Sequence, residues 1–374
     1  MNSLPLADLR VIDISTVLAG PNCARHLADF GADVIKVERP DGGDTSRSMG
    51  WRDPRDNVSL FWKMVGRNKR TIVLDLKDDD DREIFLKLCD SAQVLVENFR
   101  PGTLERLGIG PDMLLARNPK LVVTRVSGFG QSGPYANRPG FASIAESMGG
   151  LVALTGEPDG QPLLPPIAIT DEVTGLVAAF ATMVALHSGV GQVVDTNLLE
   201  TMFQLMGALP SAYALTGYLQ PRMGAGIPYS VPRNTYQCAD GEWVAISTTS
   251  NSVAIRALAL VGFDDEDLQT FDGRVRRRDE IDAHIAEWIS TRTQAEVIEA
   301  FTQAEAAIAP VYSMADIAVD PHFAAREAIV EVDGTPMQGL IARLSATPGA
   351  LRWAGRPLDA DRAEILDELG HTAS

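Results

Sequence analysis

Val11-Ile12-Asp13-Ile14, a helical pattern from Cys23 to Phe30, and then Val34-Ile35-Lys36-Val37 form the stretch on which the fold class turns. Two short apolar runs joined through a helix make one strand-helix-strand unit, and strands connected in that way lie parallel in one sheet. The theme repeats in Thr71-Ile72-Val73-Leu74, Val94-Leu95-Val96 and Leu121-Val122-Val123-Thr124, with a helix from Asp81 to Cys89 between the first two. Residues 1–205 therefore predict an α/β domain on a largely parallel sheet with crossover helices.

Outward from there the pattern changes. Residues 206–232 dissolve into Pro, Gly, Ser and Tyr, with Pro210, Pro221, Pro228 and Pro232 as punctuation, and predict a connection between domains. Residues 233–315 predict a small α+β domain. Its strand Trp243-Val244-Ala245-Ile246-Ser247 is led in by Asp240-Gly241, and helical patterns cover Ser252 to Leu260, Arg278 to Thr291 and Gln294 to Ala304. Residues 316–374, punctuated by Pro321, Pro336, Pro348 and Pro357, read as a strap returning to the large domain.

The net charge of −17 over 374 residues argues against a nucleic-acid or anionic-membrane partner. An anionic small molecule would need a local basic site. Cys23, Cys89 and Cys238 are scattered, with no CxxC pair, and suggest reduced thiols. The opening Asn2-Ser3-Leu4-Pro5 lacks the basic and apolar regions of a signal peptide. The apolar run Val173 to Leu186 reads as too short to span a bilayer. A cytoplasmic location is the expectation.

Gly128-Phe129-Gly130-Gln131-Ser132-Gly133 matches G-x-G-x-x-G after a good strand. A dinucleotide fingerprint must open directly into a helix, whereas Pro134-Tyr135-Ala136-Asn137-Arg138-Pro139 follows here, so a tight loop is the better reading. The histidines His26, His187, His284, His322 and His371 show no metal-ligand spacing. Neither a G-x-S-x-G elbow nor a Walker-type phosphate loop occurs. What remains is carboxylate and basic-residue chemistry.

Asp171 stands where an extended segment, Leu163 to Ile169, turns into an apolar helix running to Leu186. Two readings are open. Asp is a favoured N-cap and suits the helix dipole. The same position would also hold a reactive carboxylate ionised beside free backbone N–H groups. Lys36 to Arg39, Asn68 to Arg70, Lys77 and Arg100 to Arg106 flank the strands, and several cations at the carboxyl edge of such a sheet would suit a phosphate-bearing ligand.

In order along the chain, these segments resemble the class III CoA-transferases, the family of carnitine and formyl CoA-transferases. The blocks are Val11-Ile12-Asp13, Leu18-Ala19-Gly20-Pro21, Gly31 to Glu38, Asn68-Lys69-Arg70, Val96 to Gly102 and Ser127 to Gly130. Thr155-Gly156, Asp171, Gly191 to Asp195 and Pro232-Arg233-Asn234 complete them. The resemblance implies a Rossmann-like large domain with a smaller α+β domain, and a homodimer of two interlocked ring-shaped subunits. It implies an acyl-CoA and a small carboxylic acid as partners, with no metal and no permanently bound cofactor. It places the catalytic carboxylate on Asp171, which would carry CoA as an aspartyl thioester formed through mixed anhydrides. CoA contacts would fall on Leu18, Ala19, Arg39, Leu74, Lys77, Asn98, Phe99, Arg106 and Arg138.

The chain also departs from the family pattern. Phe141-Ala142 stands where the related α-methylacyl-CoA racemases place a His-Asp pair, and Glu146 stands where glutamine is common. Phe141 and Glu146 are thus candidate acyl-group contacts. The segment Ala145 to Gly160 is similar to members acting on short dicarboxylic acyl-CoAs. CoA transfer is the expected activity; acyl-CoA epimerisation and a non-catalytic CoA-binding relative are the alternatives.

Overall fold

The computed structural model describes residues 4–263 and 265–370; His371 lies outside them. The chain divides into two compact units. One comprises the chain up to Leu151, Leu164–Gly207 and His322 onward; the other comprises Val152–Leu163 and Ala208–Pro321. The joints thus fall at 207/208 and 321/322, a few residues beyond the 205/206 and 315/316 expected from the pattern, and residues 152–163 join the second unit.

In the first unit, β1 (Arg10–Asp13), β2 (Asp33–Glu38), β3 (Lys69–Val73), β4 (Val94–Glu97), β5 (Val122–Ser127) and β6 (Gln192–Asn197) form a parallel sheet. Their order is β3-β2-β1-β4-β5-β6. Register aligns Val34, Val11, Val94 and Val122 in one row, and Ile35, Ile12, Leu95 and Val123 in the next. Side chains alternate between faces along a strand, so the first row joins one apolar core and the second row the other. The inner strands β1, β4 and β5 are buried on both faces, which is why they read as mainly apolar runs, while β6 at the edge alternates. Helices α1 (Ala19–Asp29) and α5 (Ile169–Ser188) cover the first face. Between them in the chain come α2 (Leu60–Val65), α3 (Asp79–Ser91) and α4 (Ala142–Met148). Phe85 and Leu88 of α3 fill the core of the opposite face.

Two helix starts differ from expectation. Helix α1 begins at Ala19, not near Cys23, because Gly20 and Pro21 fall in the first turn, where no intrahelical N–H bond is lost. Helix α5 runs for 20 residues, longer than the apolar run that suggested it, and by length and composition alone it could cross a bilayer. Its Thr170, Thr174, Gly175, Ala178, Ala179, Thr182 and Ala185 are buried, as in a helix that covers a sheet.

In the second unit, β7 (Arg233–Gln237), β8 (Trp243–Ser247) and β9 (Ile308–Pro310) form an antiparallel sheet. Its core takes Val244 and Ile246 from the sheet, with Ile281, Ile285, Ile289, Val297 and Phe301 from helices Arg278–Ser290 and Gln294–Gln303.

Candidate active site

The strand order reverses between β1 and β4, so the connections leaving these strands diverge and open a crevice at their carboxyl ends. Asn98, just past β4, ties that strand end to the loop after β1. Its amide nitrogen donates to the Thr16 carbonyl at 2.7 Å, and its amide oxygen accepts from the Thr16 N–H at 2.8 Å. The Val17 N–H donates to Asp44 Oδ1 at 3.1 Å, and Val17 is held at φ 72°, a strained conformation for a β-branched residue.

A buried ion network under this loop sustains the strain. Asp13 accepts from Lys69 at 2.8 Å, while Lys36 bridges to Asp44 at 2.9 Å and donates to the Ser15 carbonyl. Lys69 also donates to the Pro21 carbonyl inside α1 at 2.7 Å. The two lysines hold Asp13 ionised against its burial, and Asp44 is held down to about 2 by Lys36 and the Ser46 N–H. This corrects one sequence expectation. Lys36 and Lys69 do not face a ligand, and Arg70 pairs with Asp33 and Glu368. A cation inside an apolar strand run is a sign of internal pairing, and that signal was available.

Ala168 caps α5, and Asp171 is the third helical residue. Of the two readings open for Asp171, the N-cap is thus set aside. The Ala168 cap packs in one apolar cluster with Leu18, the cap of α1, and with Trp62 and Val65 of α2. One turn beyond Asp171, a Cβ on Gly175 would lie 2.8 Å from Asn22 Cβ and 3.0 Å from the Ala19 carbonyl oxygen. Only glycine lets the two helices approach this closely, and the approach brings the head of α5 beside the head of α1.

Asp171 is half-buried and has no hydrogen bond or ion pair among the described residues. Burial, then the charges of Glu172 and Glu146, push its carboxyl up to about 6. Glu172 lies 3.5 Å from Arg25, which sits in α1. Glu146, on α4, is buried and accepts a 2.8 Å hydrogen bond from Thr170.

The other expected residues fall into two groups. Leu18 and Ala19 follow β1, and Asn98 and Phe99 follow β4, at the strand ends where the order reverses, and Leu74 is buried just past β3. Arg39, Lys77, Arg106 and Arg138 are exposed. Among these, Arg39 donates to the Gly43 carbonyl at 2.9 Å, Arg106 donates to Thr103 at 2.9 Å, and Arg138 stacks on Tyr135. Phe141 is 70% exposed, but Glu146 is 3% exposed and bonded to the helix that carries Asp171. The glycine loop after β5 is a packing device: a Cβ on Gly128 would lie 2.8 Å from Gly140 Cα. Sequence reasoning misses the parts of Thr170 and Arg25, which nothing local marks. Among the described residues no cluster of His, Cys, Asp or Glu is placed to hold a metal ion.

The strand order defines a doubly wound, parallel α/β fold, and comparison with known proteins supplies the family. Residues 6–362 match the model of CoA-transferase family III, and the chain belongs to that family. It is 38% identical to the succinyl-CoA–D-citramalate CoA-transferase of Chloroflexus aurantiacus, over 98% of this chain and 94% of that one. It is 34% identical to the succinyl-CoA:mesaconate CoA-transferase of Haloarcula hispanica, covering 98% and 96%. A crystal structure of a CAIB/BAIF family protein from Brucella suis superposes with a TM-score of 0.88 at 31% identity, over 98% of this chain and 100% of that one. The protein is a CoA-transferase.

Proposed function

We propose that the protein moves CoA from an acyl-CoA to a short dicarboxylic acid, with Asp171 as the covalent carrier. The observation that carries this reading is the state of Asp171: a half-buried carboxylate with no cation to quench it, at the head of a helix that abuts the crevice loop. A carboxyl held near 6 is ionised at neutral pH yet more basic than an ordinary aspartate, which favours attack on a carbonyl. The dicarboxylic substrate class is supported by the names of the relatives above.

In the first step an Asp171 oxygen adds to the thioester carbonyl, the C–S bond breaks, and CoA leaves as thiolate. The thiolate then attacks the Asp171 carbonyl of the mixed anhydride, forming the aspartyl-CoA thioester and releasing the donor carboxylate. The acceptor carboxylate attacks that thioester and displaces the thiolate. The thiolate attacks the acceptor's carbonyl in the new anhydride and returns Asp171 to its carboxylate. Each thioester bond broken is matched by one formed.

CoA binding is assigned to Leu18, Ala19, Leu74, Asn98 and Phe99 for the adenosine and pantetheine portions. The exposed Arg39, Lys77, Arg106 and Arg138 are assigned to its phosphates, for which mobile surface cations suit a highly charged ligand better than the buried, paired lysines. Phe141 is assigned to the acyl group. We infer further that the enzyme is a homodimer of interlocked subunits, and that it works in the cytosol without membrane or nucleic acid. The net charge of −17 and three buried free thiols support the location.

Asp171→Ala tests the assignment. Transfer between succinyl-CoA and a dicarboxylic acid should fall by at least about a thousandfold, while CoA affinity stays within a few-fold. A variant retaining wild-type turnover contradicts the role of Asp171. Exchange of the acyl-CoA α-proton with solvent deuterium in the absence of acceptor points instead to epimerisation.

A further inference from the structure

We infer that Glu146 is a positioning residue that keeps the Asp171 carboxylate reactive by placing a second, buried carboxylate against the head of α5; the inference rests on Asp171 being the covalent carrier. Glu146 is 3% exposed on α4, and its carboxylate takes the hydroxyl hydrogen of Thr170, the residue immediately before Asp171, at 2.8 Å. Thr170 is itself fully buried. Glu146 is thus tethered to the side chain of the residue preceding the nucleophile. Among the described residues no cation pairs with it.

Two carboxylates held together in a site screened from water repel each other, and the repulsion is relieved when one of them loses its charge. Protonation removes that charge, and so does acylation. Converting the Asp171 carboxylate into an anhydride or a CoA thioester replaces an anion by a neutral group, so Glu146 favours the covalent forms over the free enzyme. It also disfavours rebinding of the released donor carboxylate. Glu172 raises the Asp171 carboxyl more than Glu146 does, but its side chain is 41% exposed and lies 3.5 Å from Arg25, so water and the guanidinium partly screen it. Glu146 has neither screen.

The remaining charged groups on the elements packed against α5 are otherwise engaged. On α1, Arg25 faces Glu172 and Asp29 is held by Arg67. Burial, with Arg25 and Arg67 nearby, pushes His26 down to about 3 and leaves it neutral. Arg125 on β5 pairs with Glu97 and Glu105, Asp195 on β6 accepts from the Gln131 N–H, and Glu200 accepts from Asn197.

The test compares Glu146→Gln, which keeps an oxygen to accept from Thr170 but removes the charge, with Glu146→Asp, which keeps the charge. Two quantities are read with succinyl-CoA as donor. One is the midpoint of the acid limb of kcat/KM; the other is the fraction of enzyme trapped by hydroxylamine at Asp171 without acceptor. Glu146→Gln should move the limb to lower pH by roughly half to one unit and lower the trapped fraction several-fold. Glu146→Asp should leave the limb at the wild-type position. A residue needed only for folding would lower activity in both variants without moving the limb. If both variants keep the wild-type limb, or both shift alike, the inference is overturned while trapping at Asp171 still upholds the carrier. If wild-type enzyme gives no trapped Asp171, it is the carrier assignment that fails.

Discussion

Asp171 shows how one residue can trade stability for reactivity. Its carboxyl in the folded protein titrates near 6, above the ordinary 3.8, so the native state binds that proton more tightly than the unfolded chain does. Ionising Asp171 therefore weakens the fold. The penalty is absent below about pH 4, grows between the two values, and is complete above about pH 7. Asp171→Asn should thus unfold at higher denaturant than wild type at about pH 8, by about 1–2 kcal/mol after allowance for solvent at a half-buried site, with no gain at about pH 4. Equal stability of the two proteins at the higher pH would mean that the site does not strain its carboxylate. Sequence pattern could place Asp171 at a helix head but could not separate cap from carrier. Both readings need the same residue type in the same turn, and only the structure shows that Ala168, not Asp171, holds the cap position.

At the scale of elements, the crossing of α1 and α5 matters most. Gly175 sets it, and even a methyl there would meet Asn22 Cβ at 2.8 Å. Gly175→Val should lower stability by about 1–3 kcal/mol and reduce turnover as well, because the helix heads that carry Leu18 and Asp171 must separate; paired urea unfolding and rate measurements would check both. The strands were legible because each apolar run supplies side chains to two buried faces, as Val11 and Ile12 do. The start of α1 was misplaced because Gly20 and Pro21 read as breakers, although the first turn tolerates them. By sequence Lys36 and Lys69 suit ligand-facing cations at strand ends. Each lysine interrupts an apolar strand run, which marks it as internally paired, but its partners, Asp13 and Asp44, lie on other segments and cannot be read locally. The order β3-β2-β1-β4-β5-β6, which opens the crevice beside Asn98, is likewise invisible to periodicity.

For the whole molecule, one face of α5 presents Val177, Phe180 and Val184 to solvent in the single chain, with Phe180 71% exposed. Apolar area of that kind on a helix otherwise built into a core calls for a covering partner. In the proposed homodimer a second copy supplies it. Wild-type protein should sediment as a dimer, and Phe180→Asp should shift it toward monomer or aggregate; a wild-type monomer at micromolar concentration would contradict the assembly. The central claim is that CoA is carried on Asp171, and one measurement meets it directly. Enzyme mixed with succinyl-CoA is quenched into hydroxylamine, digested, and its peptides are weighed by mass spectrometry. The account predicts a hydroxamate on Asp171, present with acyl-CoA and absent with free CoA. Measurable transfer activity with no modification of that peptide, for any acyl-CoA that supports turnover, would contradict it.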